Sequence, residues 1–255
     1  MHIELSDTPE ELAIRAAKAG ADHIRSALEK RGRANIILAT GASQIATLEA
    51  LIAQTDIDWS KVNAFHLDEY IGLPETHGAS FRRYLKERVV ARLPALGSFA
   101  FINGDEADTG AEVARISAEI SKCDIDVAFI GIGENGHLAF NDPPADFETE
   151  DPYIVVELDK KCRLQQLNEG WFSDLSEVPN VAISMSVRHI LKSEVLICAV
   201  PDERKAEAVR GALEGPVSNL CPSSILQSHD KVFLYLDEGS ASRLDRSRLA
   251  APGPG

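Results

Sequence analysis

The chain has 255 residues, of which 44% are hydrophobic and 26% charged, a composition typical of a folded globular protein. Its formal net charge of −14 argues against binding to nucleic acid, because that function needs a basic face. No stretch reaches the roughly 18 apolar residues of a membrane span, and the N-terminus has no apolar signal core, so the sequence predicts neither membrane association nor secretion.

The four cysteines stand far apart in the sequence and form no CxxC pair. They are Cys123, Cys162, Cys198 and Cys221. This spacing matches neither a zinc knuckle nor a dense disulfide framework, and it favours reduced thiols. A cytoplasmic location is therefore expected.

Apolar runs alternate along the chain with longer segments of helical periodicity. The predicted strands are 35–40, 62–67, 99–102, 126–131, 153–158, 194–200 and 231–237. The predicted helices are 8–30, 44–54, 79–91, 109–122, 203–213 and 222–228. This alternation predicts a doubly wound, mostly parallel α/β sheet flanked by helices, a Rossmann-like single domain over residues 1–241. Residues 242–255 lose the periodicity and end in Gly and Pro, which predicts a disordered tail.

The first notable strand-end loop is "LATGAS", residues 38–43. Gly41 gives the backbone freedom, and Ser43 is placed to cap the helix that follows. A turn of small residues opening a helix presents free N–H groups to a phosphate, although an ordinary strand-to-helix turn has the same composition. The loop matches neither a Walker motif nor GxGxxG, so a dinucleotide is not indicated.

The second loop, "DEYIGLP" at residues 68–74, places Asp68 and Glu69 directly after an apolar strand. Adjacent side chains of an extended chain point to opposite sides, so only one of the two acids faces a given ligand easily. An Asp in this place is suited to removing a proton next to a carbonyl group. The alternative is a solvated acidic turn.

The third loop, "GIGENGHLAFNDPP" at residues 131–144, contains His137, which can exchange protons near neutral pH. Asp142 is suited to holding the imidazole in one tautomer. A metal site is a weaker interpretation, because no second His or Cys lies nearby and Asp142 with Asn135 would be a poor set of transition-metal ligands.

The segments "LATGAS", "LDEYIGLP" and "GIGENGHLAFNDP", in this order and at these separations, resemble the glucosamine-6-phosphate deaminase (isomerase) family. That family belongs to a wider group of sugar-phosphate isomerases that includes 6-phosphogluconolactonase. The similarity extends from about residue 8 to about residue 240 and includes "NGDEAD", "VPNVAISMSV" and "RKAEAVRGALEGPVS". Lactonases share a glycine-rich loop but usually carry a different acidic one.

The resemblance implies conversion of glucosamine 6-phosphate, or a related hexosamine 6-phosphate, and water to fructose 6-phosphate, or the corresponding ketose phosphate, and ammonia, without metal or cofactor. By position, Asp68 resembles the base that moves a proton between C2 and C1. His137 resembles the acid/base that opens the sugar ring, and Asn135 and Asp142 occupy its supporting positions. The residues that resemble the substrate- and phosphate-binding set are Thr40, Gly41, Ala42, Ser43, Glu69, Gly136 and Lys205.

The segment "CRLQQLNEGWF", residues 162–172, departs from the family pattern. Many deaminases place a second, phosphate-binding arginine just before the aromatic pair. Here Arg163 matches the first arginine, whereas Glu169 and Gly170 precede Trp171. Lys205, Arg204 or Arg163 could compensate for the missing cation.

Three functions remain open from the sequence: an amino-sugar-phosphate deaminase, a 6-phosphogluconolactonase-like hydrolase, and a non-catalytic sugar-phosphate-binding protein. A homo-oligomer is possible. Some family members are hexamers activated by N-acetylglucosamine 6-phosphate, bound just after the catalytic loop. The corresponding stretch, residues 143–158, contains acids but no Lys or Arg, which predicts hyperbolic kinetics without that activation.

Overall fold

The computed structural model describes residues 1–245, which fold around a parallel sheet. In chain order the strands are β1 (His2–Ser6), β2 (Ala34–Leu38), β3 (Val62–His66), β4 (Asp68–Tyr70), β5 (Ser98–Ala100), β6 (Val127–Ile130), β7 (Tyr153–Glu157), β8 (Val181–Met185), β9 (Val195–Val200) and β10 (Val232–Asp237). Seven of them run parallel in the order β1-β10-β9-β6-β2-β3-β5. The other three form a small antiparallel sheet in the order β4-β8-β7.

The helices connect these strands. They are α1 (Pro9–Arg31), α2 (Ile45–Ile52), α3 (Phe81–Arg88), α4 (Thr109–Ile120), α5 (Lys160–Asn168), α6 (Val187–Leu191) and α7 (Ala206–Glu214). Thr8 caps α1, since its side chain accepts a hydrogen bond from the Glu11 N–H at 3.1 Å. Shorter 3₁₀ turns include Ala42–Gln44, Glu203–Lys205 and Pro222–Ser228.

Apolar layers cover both faces of the parallel sheet. One layer joins the alanine-rich face of α1 and residues of α2 and α3 to strand residues such as Ile36 and Phe129. The other joins α4 and α7 to alternate strand residues such as Ile37 and Ile130. Because both faces are buried, the central strands read as nearly continuous apolar runs in the sequence.

The small sheet continues directly from the end of β3. Only Leu67 separates β3 from β4, and its carbonyl accepts a hydrogen bond from the Met185 N–H of β8 at 3.0 Å. A third apolar cluster, which includes Tyr70, Phe81 and Phe172, packs β4 against α3 and the chain that follows α5. The small sheet therefore encloses the carboxyl end of β3.

The predicted parallel α/β sheet is confirmed, and one predicted element is wrong in kind. Residues 153–158 form a strand as predicted, but Tyr153–Glu157 pairs antiparallel with β8 in the small sheet rather than with the main sheet. Residues 222–228 form a 3₁₀ turn that begins at Pro222, not an α-helix. The sequence pattern also gave no prediction of β1, β4, β8, α5 or α6, which are short or, in α5, only weakly amphipathic.

The chain after β10 turns back onto the domain. Leu244 is buried in the larger apolar cluster, so the described fold continues past residue 241. The rest of the predicted disordered tail, residues 246–255, lies outside the described residues. Among residues 1–245, no helix is both long and apolar enough to cross a membrane.

The order of the parallel strands positions the functional site. From β2 the chain moves outward through β3 and β5, whereas from β6 it moves the opposite way through β9 and β10. The winding therefore reverses between β2 and β6, and in such sheets ligands bind beyond the carboxyl ends of the strands at the reversal.

Candidate active site

A cleft of about 480 Å³, partly open to solvent, lies beyond the carboxyl ends of β9, β6, β2 and β3. Four neighbouring strand ends thus contribute to one cavity. Its lining residues are Ala39, Thr40, Gly41, Ser43, Gln44, Leu67, Asp68, Phe81, Gly131, Ile132, Gly133, His137, Ala139, Phe140, Gln165, Gln166, Glu169 and Lys205. The three loops singled out in the sequence therefore meet in space.

The loop after β2 forms one end of the cleft. Gly41 has a φ of 100°, a left-handed conformation that favours glycine, and the 3₁₀ turn Ala42–Gln44 leads into α2. The Thr40 hydroxyl is buried and has no hydrogen-bond partner among the described residues. Gln44 ties this loop to β9 by donating to the Ala199 carbonyl at 3.0 Å.

Lys205 reaches the same end of the cleft from the turn after β9. Its side chain is deeply buried, with the residue only 3% exposed. No described residue accepts a hydrogen bond from its ammonium group, and it forms no ion pair within hydrogen-bond distance. Burial lowers its pKa from 10.5. A buried, unpartnered ammonium that lines a cleft is a favourable place for an anion.

Asp68 lines the cleft from the start of β4 and is 6% exposed. Its neighbour across the small sheet is Ser184. Burial, with a smaller contribution from the charge of Glu69, raises the pKa of Asp68 from 3.8 to about 8. A carboxyl group whose pKa lies near neutral pH is suited to accept and return a proton.

Glu69 points away from the cleft and stabilises the start of α3. Its carboxylate accepts hydrogen bonds from the Ser80 hydroxyl and from the backbone N–H groups of Tyr70, Phe81 and Arg82. Burial raises its pKa from 4.5 to about 7 despite these hydrogen bonds. The predicted contact of Glu69 with substrate therefore has no support in this geometry, because strand alternation turns its side chain opposite to Asp68.

His137 lies beside Asp68 in the lining of the cleft. Its Nδ1 is 3.0 Å from Oδ1 of Asp142, which leaves Nε2 as the nitrogen available to a ligand. The imidazole packs flat against Gly133, where an added Cβ would lie 2.1 Å from Nε2. Glycine at position 133 is therefore required by the histidine itself.

A polar network behind His137 fixes the imidazole. Asn135 donates to Asp142 at 2.8 Å and to Asp159 at 3.0 Å, and the Asp159 N–H donates to Asp142 at 2.8 Å. Burial opposes ionisation of Asp142, but the hydrogen bonds from His137, Asn135 and Asp159 outweigh it and hold its pKa below 3.8. Asp142 is therefore placed to hold the ring in one orientation.

The loop that carries His137 is also locked to the small sheet. Ser184 accepts a hydrogen bond from the Phe140 N–H at 3.0 Å, and Asn141 donates to the carbonyls of Leu138 and Met185. Ala139 adopts a φ of 52°, a left-handed conformation that is strained for alanine. The hydrogen bonds of the neighbouring residues therefore hold Ala139 in this conformation, in which it lines the cleft.

Helix α5 supplies lining residues that the sequence pattern did not indicate. Gln165, Gln166 and Glu169 all face the cleft. Gln166 accepts a hydrogen bond from the Tyr70 hydroxyl at 2.7 Å, and Gln165 accepts one from the Glu134 N–H at 2.9 Å. In the sequence, this segment was marked only by its departure from the family pattern at residues 162–172.

The two arginines considered as replacement cations are used elsewhere. Arg163 donates to the carbonyls of Leu175 and Val178. Arg204 pairs with Asp202 at 2.7 Å and with Glu134 at 3.4 Å. Neither arginine lines the cleft, which leaves Lys205 as the one lysine or arginine among the described lining residues.

The predicted site residues divide into two sets. Thr40, Gly41, Ser43, Asp68, His137 and Lys205 line the cleft. Ala42, Glu69, Asn135, Gly136 and Asp142 do not line it, although Asn135 and Asp142 support His137 from behind. Gly136 instead abuts Cys221 and has a φ of 87°, so its role is in the turn.

Cys162 adds a donor near this network that the sequence did not suggest. One ligand atom from each of His137, Asp142 and Cys162 lies within 4.8 Å of the others. Burial raises the pKa of the Cys162 thiol, which disfavours the thiolate that a metal would need. The prediction that the site uses no metal stays a prediction.

The fold and cleft define an α/β protein whose site combines a buried carboxyl group and an oriented imidazole with a buried ammonium group that has no partner among the described residues. A profile of the family described as glucosamine-6-phosphate isomerases/6-phosphogluconolactonase matches residues 7–234. A glucosamine-6-phosphate deaminase of Streptococcus equi subsp. equi (strain 4047) is 33% identical over 232 residues, which cover 91% of this chain and 96% of that protein. One of Pediococcus pentosaceus is 36% identical over 222 residues, covering 85% and 89%.

Solved structures agree with this assignment. A monomeric glucosamine-6-phosphate deaminase has a TM-score of 0.84 and 32% identity, covering 95% of this chain and 99% of that chain. The crystal structure named "Putative 6-phosphogluconolactonase from Neisseria gonorrhoeae FA 1090" shares the fold with a TM-score of 0.75 at 22% identity, covering 93% of this chain and 100% of that chain. The chain belongs to the glucosamine-6-phosphate isomerase/6-phosphogluconolactonase family.

Proposed function

We propose that this protein is an amino-sugar-phosphate deaminase that converts glucosamine 6-phosphate and water to fructose 6-phosphate and ammonia. One observation carries the proposal: Asp68 and His137, whose ring is hydrogen-bonded to Asp142 from behind, line the same cleft as the unpartnered ammonium of Lys205. The cleft thus offers a proton-transfer end and an anion-binding end to one small molecule. The names of the relatives that are 33–36% identical support the same activity.

The anion-binding end would hold the 6-phosphate. Lys205 supplies the positive charge, and the buried Thr40 hydroxyl has no protein partner. The turn Ala42–Gln44 precedes α2, whose N-terminal dipole adds to the attraction for an anion. These groups come from the ends of β2 and β9, so the phosphate anchors the sugar across the reversal point of the sheet.

Ring opening is the first chemical step. His137, through Nε2, donates a proton to the ring oxygen as the bond between that oxygen and C1 breaks, while the C1 hydroxyl gives its proton to solvent water. The products of this step are a C1 aldehyde and a free C5 hydroxyl. Asp142 holds the imidazole in the tautomer and orientation that this transfer needs.

Isomerisation follows at C2. The C1 carbonyl makes the C2 proton removable, and the Asp68 carboxylate accepts it and then returns a proton to C1. This transfer leaves an iminium at C2, to which water adds before ammonia leaves, giving the ketone of fructose 6-phosphate. Burial raises the pKa of Asp68 to about 8, which makes its ionised form a stronger base than an exposed carboxylate.

A lactonase is the alternative enzyme, because the family includes 6-phosphogluconolactonases. Lactone hydrolysis requires no base for a carbon-bound proton, so it gives no reason for the buried Asp68. The lactonase structures compared with this chain are at most 22% identical, and that level of similarity supports only a shared fold. A non-catalytic binding protein would have no use for the His137–Asp142 pair.

The proposed activity places the protein in amino-sugar metabolism, including the breakdown of N-acetylglucosamine. We expect it to act in the cytoplasm on a free small-molecule substrate, with no nucleic acid or membrane partner. A monomer or a homo-oligomer is compatible with the cleft, since the described residues of one chain supply every group named in the mechanism.

The test is release of ammonia from a panel of hexosamine 6-phosphates, with the ketose phosphate product quantified in parallel. We expect turnover of glucosamine 6-phosphate or galactosamine 6-phosphate and none of the N-acetylated sugar, because its amide nitrogen cannot leave as ammonia. Hydrolysis of 6-phosphogluconolactone without ammonia release from any amino sugar would favour the lactonase instead. Binding without turnover of either substrate would favour the non-catalytic alternative.

A further inference from the structure

The anion-binding end of the cleft also contains a carboxylate, that of Glu169. This side chain lines the cleft together with Lys205. Two hydrogen bonds fix it: Gln165 Nε2 donates to one carboxylate oxygen at 2.9 Å, and Trp171 Nε1 donates to the other at 3.3 Å. Glu169 is therefore a positioned negative charge, not a mobile surface side chain.

Glu169 offsets the charge of Lys205. Of the carboxylates that interact electrostatically with the Lys205 ammonium, Glu169 has the largest effect, followed by Glu134 and Asp202. The charge of Arg204 opposes this effect, but its guanidinium is already paired with Asp202 and Glu134. Lys205 is the one lysine or arginine among the described residues that line the cleft, and Glu169 carries the opposite charge. The net charge of these two side chains is therefore close to zero.

A near-neutral site treats the two ionisation states of a phosphate ester differently. A dianion is attracted by Lys205 and repelled by Glu169, so the two interactions largely offset each other. A monoanion carries one charge less and keeps an O–H group that can donate a hydrogen bond to a carboxylate. Charge-assisted hydrogen bonds of this kind are about twice as strong as neutral ones.

We infer that Glu169 is a specificity-determining residue that makes the cleft bind a singly ionised phosphate group in preference to a doubly ionised one. The inference rests on the proposed function for the identity of the sugar phosphate, but not for the anion site. Glu169 accepts the phosphate O–H while Lys205 contacts an ionised phosphate oxygen. Removing the negative charge of Glu169 then opens the site to dianions.

Inorganic sulfate and inorganic phosphate are suitable probes, because neither requires turnover. Sulfate remains a dianion between pH 6 and 8, whereas phosphate changes from monoanion to dianion across that range. We expect Glu169→Gln to tighten sulfate binding at least ~10-fold by calorimetry, equivalent to about 1.4 kcal/mol. Glu203→Gln, an equal change of charge on an exposed residue of the same turn as Lys205, should change it less than ~2-fold, as solvated charges interact weakly.

The pH dependence separates selection of the monoanion from simple repulsion. Lys205 and Arg204 interact electrostatically with both Glu169 and Glu134, and any titration of these groups or of Asp68 affects both probes. The ratio of phosphate to sulfate affinity cancels that common effect. In the wild type we expect this ratio to fall several-fold from pH 6 to 8, and in Glu169→Gln we expect it to change less.

Unchanged or weaker sulfate binding by a folded Glu169→Gln protein would overturn the inference, as would an equal effect of Glu203→Gln. Glu169→Ala serves as a second variant if the glutamine alters the contacts of Gln165 and Trp171. If the protein releases no ammonia from any amino sugar, the proposed function fails while the anion measurement still gives a result. The two failures are therefore distinguishable.

Discussion

The two ends of the cleft are built differently. At the proton-transfer end, His137 is held by Asp142, which is itself held by Asn135 and Asp159. At the anion-binding end, the Lys205 ammonium and the Thr40 hydroxyl have no hydrogen-bond partner among the described residues. The imidazole is oriented without a ligand, whereas the ammonium and the hydroxyl can gain hydrogen bonds from a ligand or water.

This difference separates two tasks. Proton transfer needs an orientation fixed in advance, because a small displacement of a catalytic group is costly in rate. Anchoring needs unsatisfied donors whose interactions form only when the anion arrives. Substitutions at the proton-transfer end should therefore lower kcat, and substitutions at the anion-binding end should raise KM.

The largest effect is expected for Asp68→Asn. An amide cannot accept the C2 proton, and loss of a general base typically costs ~100- to 10,000-fold in rate. Exchange of the C2 proton with solvent, followed by NMR, should fall by that factor while KM changes little. Asp146→Asn, at an exposed acid, is the control and should leave exchange unaltered. Wild-type exchange in Asp68→Asn would remove Asp68 from the mechanism.

His137→Gln should have a large but selective effect. Glutamine cannot transfer protons near neutral pH, so turnover of the cyclic sugar should fall by ~100-fold or more. An open-chain substrate analogue bypasses ring opening and should lose far less activity. Equal losses on both substrates, measured by ammonia release, would contradict the assignment of His137 to ring opening.

Lys205→Ala should act mainly on KM, unlike the two substitutions at the proton-transfer end. Loss of one charge-assisted contact of about 1.5–3 kcal/mol raises KM for the sugar phosphate at least ~10-fold. Arg204→Ala is the matched control, because that guanidinium pairs with Asp202 and Glu134 and does not line the cleft. A KM for Lys205→Ala within ~2-fold of wild type would contradict the anchoring role.

Stability should respond to pH through Asp68. Its pKa is about 8 in the folded protein and 3.8 as an exposed carboxyl, so the folded state holds the proton more tightly. Its contribution to stability is complete below pH 4 and is lost as pH rises towards 8. The Tm of Asp68→Asn should therefore exceed that of the wild type by more at pH 8 than at pH 5, by about 3 °C or more.

An equal Tm difference at the two pH values would show that burial does not raise the pKa of Asp68. Asp146→Asn again provides the control, because an exposed carboxylate should give no pH-dependent difference. The pair of variants separates the effect of burial from the general effect of removing a negative charge.

The smallest expected effect is that of N-acetylglucosamine 6-phosphate, which should leave the substrate curve hyperbolic. The stretch 143–158 is acidic, and two cations that contact it, Arg188 and Lys192, are paired with its Glu148 and Glu150. A phosphate would have to displace those carboxylates. Sigmoidal substrate curves that become hyperbolic on adding the effector would contradict this expectation.

The proton-transfer end could be predicted from the sequence because its parts are local. His137, Asn135 and Asp142 lie within eight residues, 135–142, and the loop brings them together without help from distant elements. Asp68 follows an apolar strand, and the parallel sheet places the ends of such strands side by side. The fold class was predictable for the same reason, since alternation of strands and helices is a local pattern.

The remaining features depend on contacts between distant segments. Glu169 reaches the cleft only because α5 packs beneath Tyr70 and the loop of Glu134, and the sequence pattern indicated neither this helix nor β8. Glu69 is adjacent to Asp68, yet its orientation towards the start of α3 follows from strand alternation and from hydrogen bonds with Ser80 and Arg82. The composition of the sequence and the spacing of its motifs do not predict such contacts.

The most direct measurement is NMR analysis of glucosamine 6-phosphate incubated with the wild-type protein in deuterated water, with ammonia quantified in parallel. Ammonia and fructose 6-phosphate should form in equal amounts, and the proton that Asp68 returns to C1 should leave at most one deuterium there. With Asp68→Asn, the rate of product formation should be at least ~100-fold lower than with the wild type. Absence of ammonia with the wild type, or product formation by Asp68→Asn at the wild-type rate, would contradict the proposal that this cleft is the active site of an amino-sugar-phosphate deaminase.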